Sequence, residues 1–233
     1  GLYIDSDYTF KDKNPVWLFN CYCDKKKIFN PLSFNKSVEL FSMNANTDNY
    51  GCLEIDARLK ETAFNKLKNC GIDLYKPFVT FQLGASVATR RWKTPEIIEF
   101  ARYISNKYLN PILCIGSPIE NEYLDSIISQ GRLNALNLSK TLNLSESLCL
   151  LKHSDFLLTM NTYSLHCAAI FEIPYLCLEF SDLYFPAGGK NSVIYFNPTM
   201  KAGDAINVYK LFFENDKTSQ LSSIPGKVLK FSP

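Results

Sequence analysis

Between residues 78 and 180, short apolar runs alternate with amphipathic stretches of about ten residues, and each apolar run stops at a small or polar residue. Phe78–Leu83 is rich in β-formers and is followed by Gly84-Ala85-Ser86. Ile112–Ile115 follows Pro111 and stops at Gly116, Phe156–Met160 stops at Asn161, and Tyr175–Phe180 follows Pro174. Between them, Thr94-Pro95-Glu96 is a helix start, with a hydroxyl N-cap, proline at the first helical position and an acid in the first turn. Ile97, Ile98, Ala101 and Ile104 then form an apolar stripe. Pro118–Ile128 is a second amphipathic helix with Tyr123, Leu124, Ile127 and Ile128 inward, ending near Gly131. Ser145-Glu146 caps a short helix through Lys152, and Ser164–Phe171 forms another. Strands alternating with helices of this length build βαβ units around a parallel sheet. The expected fold is α/β, a Rossmann-like parallel sheet with helices on both faces. Right-handed crossovers place a ligand outside the carboxyl ends of the strands. Those ends begin at Gly84, Gly116 and Asn161.

The flanks are less regular. Residues 1–50 are polar apart from a short apolar run at Val16–Asn20, while 57–70 has helical spacing and is closed by Gly71. The tail Lys201–Pro233 offers a helix around Ala205–Phe213 and then a Ser/Lys-rich end. At 233 residues with 46% hydrophobic and 21% charged residues, the chain is long and apolar enough to own a core. A net charge of +2 argues against general nucleic-acid binding. No apolar stretch reaches the roughly 18–20 residues that cross a bilayer, and Lys25-Lys26-Lys27 reads as a solvated turn. Four of the 8 cysteines, Cys114, Cys149, Cys167 and Cys177, lie inside apolar segments and read as core thiols. Cys21 and Cys23 form a lone C-x-C whose surroundings match no structural zinc spacing, so no metal site is expected. This cysteine usage suits a reducing cytoplasm.

Each strand end admits two readings. Gly84-Ala85-Ser86 with Arg90-Arg91-Trp92 is either a phosphate-binding turn backed by arginines or a plain βα turn with solvated arginines and a Trp packed on the sheet. Glu120, in the first turn after Gly116, is explained by helix capping, yet a carboxylate at a strand end also accepts hydroxyl hydrogens from a nucleoside or sugar. A helix starting after Asn161, with Thr162 or Ser164 as N-cap, offers free N–H groups to an anion, and His166 lies in its first turn. His153 reads as a surface residue at a helix end.

Taken together these segments resemble glycosyltransferase family 9, the lipopolysaccharide heptosyltransferases of GT-B architecture. Gln82–Ser86 with Arg90-Arg91-Trp92 looks like that family's PGAS…KRWP segment, and Gly116–Glu122 like its G-x-P-x-E-x-E segment. Leu148–Met160 looks like its helix–strand ALLxxADLLVTN, and Asn161–Ile170 with Pro174 like its DSGPMHLAAALGxP helix. The resemblance implies a nucleotide-sugar-binding domain over 73–233, with 1–72 the remnant of an N-terminal acceptor domain and linker. It implies a donor substrate, ADP-heptose or a related nucleotide sugar, and no cofactor. Ser86 and Arg90 would contact the diphosphate, Arg90 standing where the family has Lys and stabilising the leaving group. Glu120 would accept from the ribose, Thr162 and its helix N-terminus would bind phosphate, and His166 would support that turn.

Two positions depart from the family pattern. Its Asp, expected to bind donor-sugar hydroxyls, is Asn161, and its Gly is Tyr163. If the backbone at 163 had to be left-handed, a tyrosine there would cost about 1–2 kcal/mol. The family's general base is an Asp of the first domain, expected upstream of this chain; Asp5 and Asp7 have no motif to promote them. The chain opens with Gly-Leu-Tyr-Ile-Asp rather than Met and reads as starting inside a longer protein, so it is not expected to turn over alone. Three functions are weighed: transfer of a sugar to a lipopolysaccharide core or other cell-surface glycan, at the cytoplasmic face of the membrane; a non-catalytic nucleotide-sugar-binding descendant; and, since fold alone does not imply function, an unrelated α/β nucleotide-binding protein.

Overall fold

The computed structural model describes residues 55–85, 91–180, 191–214 and 218–231. All of them fall in one compact unit, Leu53–Ser181 with Gly189–Pro233. The helix that precedes the sheet, α1 (Ala57–Asn69), is therefore part of this unit. The readings placed on 1–54, including Asp5, Asp7, Cys21, Cys23 and the lysine run, lie outside the described residues, as does most of the expected acceptor-domain remnant.

Seven strands form one sheet: β1 (Val79–Gln82), β2 (Ile112–Ile115), β3 (Ala135–Asn137), β4 (Phe156–Met160), β5 (Tyr175–Glu179), β6 (Ser192–Phe196) and β7 (Lys227–Phe231). Their order is β3-β2-β1-β4-β5-β6-β7. The first six run parallel, and β7 adds an antiparallel edge on β6, so the sheet is mixed rather than wholly parallel. β1, β2, β4 and β5 are buried along their whole length, which is why they read as largely apolar runs rather than alternating ones.

Five further helices complete the layers: α2 (Thr94–Ser105), α3 (Asn121–Gly131), α4 (Leu144–Lys152), α5 (Tyr163–Ile170) and α6 (Ala202–Tyr209). Successive strand residues point to opposite faces. Ile112 and Cys114 join one core cluster with Ile97 and Phe100 of α2, Leu124 of α3 and Ala205 of α6. Leu113 and Ile115 join another with Leu67 of α1 and Leu150 of α4. Helices thus cover both faces, as expected. Cys114, Cys149, Cys167 and Cys177 are buried free thiols, and burial alone pushes the Cys114 thiol up to about 12.

Helix starts are where local reading and structure diverge by a residue or two. Lys93, not Thr94, is the N-cap of α2 and gives no side-chain cap. Glu96 serves a different helix, its carboxylate accepting from the Ala202 N–H at the start of α6 and from Lys201 Nζ at 3.3 Å. Pro118–Glu120 is a 3₁₀ turn, so α3 begins at Asn121 and ends on a left-handed Arg132. α4 is capped by Asn143 rather than Ser145. The tail helix runs from Ala202 and continues through a π turn to Glu214. His153 is the α4 C-cap residue, its Nδ1 2.9 Å from the Cys149 carbonyl and its ring edge-on to Phe64.

Asn143 and Glu146 form a reciprocal capping box, and Glu146 Oε2 also pairs with Lys66 Nζ at 2.8 Å, tying α4 to α1. Burial pushes the Glu146 carboxyl up, but the hydrogen bonds from Lys66 and the Asn143 N–H outweigh it and hold the net pKa below 4.5. A depressed folded pKa means this contribution is complete above the ordinary carboxyl range and is lost as pH falls through the folded value. Glu146→Ala should cost about 1–3 kcal/mol at pH 7 and flatten the acid limb of the stability curve. Urea midpoints between pH 7 and pH 3 measure both.

Candidate functional site

In the order β3-β2-β1-β4-β5-β6 the chain leaves β1 in one direction for β2 and β3, then returns across it for β4, β5 and β6. The crevice outside the carboxyl ends of β1 and β4 is the topological switch point, where such sheets bind ligands. A cleft of about 780 Å³ opens there, walled by Gly84 and Ala85 after β1, Gly116–Glu120 after β2, Leu142–Leu144 before α4, and Asn161–Ser164 after β4. Three strand ends singled out in the sequence therefore meet in one place.

Glu120 caps its turn, as one of its two readings expected. Its Oε2 accepts from the Ser117 N–H at 2.8 Å and from Ser117 Oγ at 3.1 Å, closing a capping box at the start of the 3₁₀ turn. The carboxylate lies against the Cα atoms of both strand-end glycines: a Cβ on Gly84 would stand 1.5 Å from Oε1, and one on Gly116 2.9 Å from Oε2. The strand ends lack side chains where the carboxylate sits. Oε1 has no hydrogen-bond partner among the described residues and lies at the cleft wall, placed to accept from a ligand hydroxyl.

α5 presents its amino end to the same cleft. Thr162 is its N-cap by backbone conformation, but its hydroxyl does not cap the helix. Instead Thr162 Oγ1 donates to Gln82 Oε1 at 2.9 Å, while Gln82 Nε2 donates to the Gly84 carbonyl at 3.1 Å. The Leu165 N–H already donates to the Thr162 carbonyl at 3.1 Å, which leaves the N–H groups of Tyr163 and Ser164, without a side-chain cap, for an anion. Gln82 is the residue that sequence reasoning quoted but gave no role: buried at the end of β1, it braces the turn at Gly84 and the start of α5 across the switch point. Only the pairing of β1 with β4 brings these side chains together.

Asn161 also lines the cleft, with Nδ2 donating to Glu179 Oε2 at 2.9 Å. Glu179, at the end of β5, was missed; the signal available was an acid closing an otherwise apolar run, Tyr175-Leu-Cys-Leu-Glu179. Tyr163 is in ordinary helical backbone, since the non-glycine residues with positive φ among those described are Arg132, Glu172 and Asn191. No left-handed strain arises there. The residue is 52% exposed at the cleft, and burial together with the adjacent Cys167 thiol pushes the phenol up to about 12. His166, in the first turn of α5, is partly buried outside the cleft wall, and burial lowers its pKa.

Ser86 and Arg90 lie outside the described residues. Next to them, Arg91 Nε donates to the Ala85 carbonyl at 3.2 Å, and its guanidinium stacks 4.8 Å from the Tyr123 ring centre. Trp92 is 2% exposed, so for it the packing alternative holds. Among the described residues no cluster of His, Cys, Asp or Glu could hold a metal ion, and no helix is long and apolar enough to cross a membrane.

Residues 10–183 match glycosyltransferase family 9 (heptosyltransferase). Among curated proteins none matches the sequence significantly. Among solved structures, a glycosyl transferase family 9 protein from Veillonella parvula is similar with a TM-score of 0.61 at 15% identity, over 77% of this chain and 50% of that one. The ADP-heptose lipopolysaccharide heptosyltransferase II of E. coli is similar with a TM-score of 0.60 at 14% identity, over 81% of this chain and 65% of that one. E. coli heptosyltransferase WaaC with ADP gives a TM-score of 0.50 at 15% identity, over 81% and 56%. At these identities the structures establish the shared α/β fold, and this chain spans about half to two thirds of their length. The sequence match covers most of the chain and contains all three strand ends of the cleft, and the chain belongs to glycosyltransferase family 9, the heptosyltransferase family.

Proposed function

We propose that this chain is the nucleotide-sugar-binding half of a glycosyltransferase that moves heptose from ADP-heptose to a lipopolysaccharide-core or related cell-surface glycan acceptor. The observation that carries the reading is the cleft at the switch point, which is lined both by a helix N-terminus without a side-chain cap and by a carboxylate with one oxygen to spare. A nucleoside diphosphate suits both: its phosphates suit the α5 N–H groups and its ribose hydroxyls suit Glu120 Oε1. The similar E. coli structures with ADP and with ADP-2-deoxy-2-fluoro heptose supply the nucleotide identity for the proposal.

In an inverting transfer the glycosidic bond to phosphate breaks as an acceptor hydroxyl attacks, and the departing nucleoside diphosphate gains negative charge. The α5 N-terminus stabilises that charge by dipole and hydrogen bonds, with Arg90 adding a full positive charge in the position where the family carries Lys. Arg90 keeps the charge but changes its reach and fork geometry. Ser86 binds the same diphosphate, Thr162 is held in place by Gln82 so that its turn is fixed before ligand arrives, and His166 supports α5 from outside the cleft. The general base belongs to the acceptor-binding domain. A glycolipid acceptor brings the enzyme to the cytoplasmic membrane face as a peripheral protein.

A second reading, a nucleotide-sugar-binding domain without turnover, is favoured by Asn161 and Tyr163, an amide and a bulky phenol in the cleft at the family's Asp and Gly positions. Calorimetric titration with ADP, UDP and GDP tests the binding that both readings share. Selective ADP binding weakened roughly tenfold by Arg90→Ala is the expected result. No nucleotide binding by the folded protein would overturn both. Turnover of ADP-heptose by the protein extended through its acceptor domain separates the first reading from the second.

A further inference from the structure

Glu120 immediately precedes α3, and the first turn of that helix is tied to the sheet on two sides. Towards β3, Asn137 Nδ2 donates to the Asn121 carbonyl at 3.1 Å. Towards β1, the link is Arg91. Its Nε–H donates to the Ala85 carbonyl, while its guanidinium lies over the Tyr123 ring in that first turn. Ala85 follows Gly84 in the chain, and Tyr123 lies three residues after Glu120. Arg91 therefore joins the same two segments that meet where the Glu120 carboxylate rests against Gly84. The Tyr123 hydroxyl is buried and has no hydrogen-bond partner among the described residues, so the ring makes this contact rather than the hydroxyl. Burial pushes the phenol up against the pull of Arg91, which keeps the ring neutral beneath the cation.

We infer that Arg91 is a positioning residue for nucleotide binding, which clamps the first turn of α3 to the chain after β1 and so holds the Glu120 carboxylate where Oε1 meets a nucleoside hydroxyl. The inference rests on the nucleotide-sugar reading above and adds a residue that acts through Glu120 rather than on the ligand. Two features set it apart from a second phosphate contact. Arg91 is not among the residues that line the cleft, whereas Gly84, Ala85 and Glu120 are. Its Nε edge and its flat face are both already occupied by protein groups. A planar guanidinium donates from its edge and stacks by its face at the same time, which the compact ammonium of a lysine does not reproduce.

A double-mutant cycle in ADP binding tests the role, because a residue that works only through Glu120 has nothing to position once Glu120 is gone. Calorimetric titration with ADP is made on wild type, Arg91→Ala, Glu120→Ala and the double variant, with thermal melts to show that each is folded. The expected result is an affinity about fivefold weaker in Arg91→Ala and no further loss when the same change is added to Glu120→Ala. Arg91→Lys keeps the charge without the stacked plane and should lose as much as Arg91→Ala. From the other partner, Tyr123→Leu should reproduce the loss and Tyr123→Phe, which brings back the ring alone, should restore the affinity. An Arg91→Ala protein that binds ADP as wild type does has lost a structural contact only, and overturns the inference. An equal loss with and without Glu120, or full affinity in Arg91→Lys, makes Arg91 a charge acting on the phosphates and overturns it too. Each of these leaves the nucleotide site standing. Absence of ADP binding by folded wild type overturns the nucleotide reading, and this inference with it.

Discussion

Replacing Trp92 by alanine should remove roughly 3–5 kcal/mol of stability. The indole is 2% exposed, meets Phe100 edge-on at 5.9 Å between ring centres, and sends its Nε1–H to the Met200 carbonyl at 3.2 Å. It therefore joins the start of α2 to the segment that leads into α6, two elements distant in sequence. Domains of this kind have a net stability of about 5–15 kcal/mol, so the loss would be a large share of the whole. Trp92→Phe separates the two contributions. It keeps most of the ring volume but leaves the Met200 carbonyl without its donor, which should cost about 1–2 kcal/mol. Urea unfolding of the three proteins should show midpoints in the order wild type, Phe, Ala with similar slopes. A loss below about 1 kcal/mol for Ala would mean that the ring is not the anchor its burial implies.

Trp92 also shows where sequence reading reaches its limit. The motif that contains it was legible, but whether the Trp faced ligand or core depended on Met200 and Phe100, which local sequence does not place. The same contrast runs through the fold. Ile112–Ile115 and Phe156–Met160 are found to the residue because a strand covered on both faces must be apolar throughout and is ended by glycine, proline or a polar residue. β7 is an edge strand that mixes two lysines with apolar residues, Lys227-Val-Leu-Lys-Phe231, and reads as polar tail until β6 is there to pair with it. β3, three partly exposed residues, carries too little pattern to be seen. Helix ends slipped because Ser, Thr and Asn compete for the cap: Asn143 took the place expected of Ser145, since its Oδ1 reaches the Glu146 N–H at 2.9 Å.

For the cleft, the strand ends were legible and their internal wiring was not. Strand order decides that Gln82 meets Thr162 and that Asn161 meets Glu179. Both partners are polar residues closing apolar strands, where burial forces each to find a hydrogen bond. The condition under which Tyr163 would be strained is not met, for a related reason. A helix that starts at residue 163 lets its backbone N–H groups point at the cleft from ordinary helical angles, so no left-handed residue is required.

Gly84→Ala should act almost entirely through Glu120. The added Cβ would lie 1.5 Å from Glu120 Oε1 and 2.1 Å from its Cδ, an overlap that only departure of the carboxylate can relieve. Gly84 is not in the left-handed region, so the backbone itself accepts alanine. Expulsion breaks both bonds from Ser117, a capping box worth about 0.5–2 kcal/mol, and removes the acceptor from the nucleoside side of the cleft. ADP affinity should fall roughly 10–100-fold, the range for losing a hydrogen bond to a charged group. The decisive comparison is a double-mutant cycle. With Glu120→Ala already in place the three atoms nearest to a Cβ on Gly84 are gone, so the second substitution should cost little in stability or binding, and the two changes should be strongly non-additive. Calorimetry and urea unfolding on the four proteins measure both couplings. If Gly84→Ala binds ADP as wild type does while the capping coupling is present, the carboxylate is a capping group alone. The nucleoside would then have to be held by the α5 turn and the arginine-bearing turn after β1.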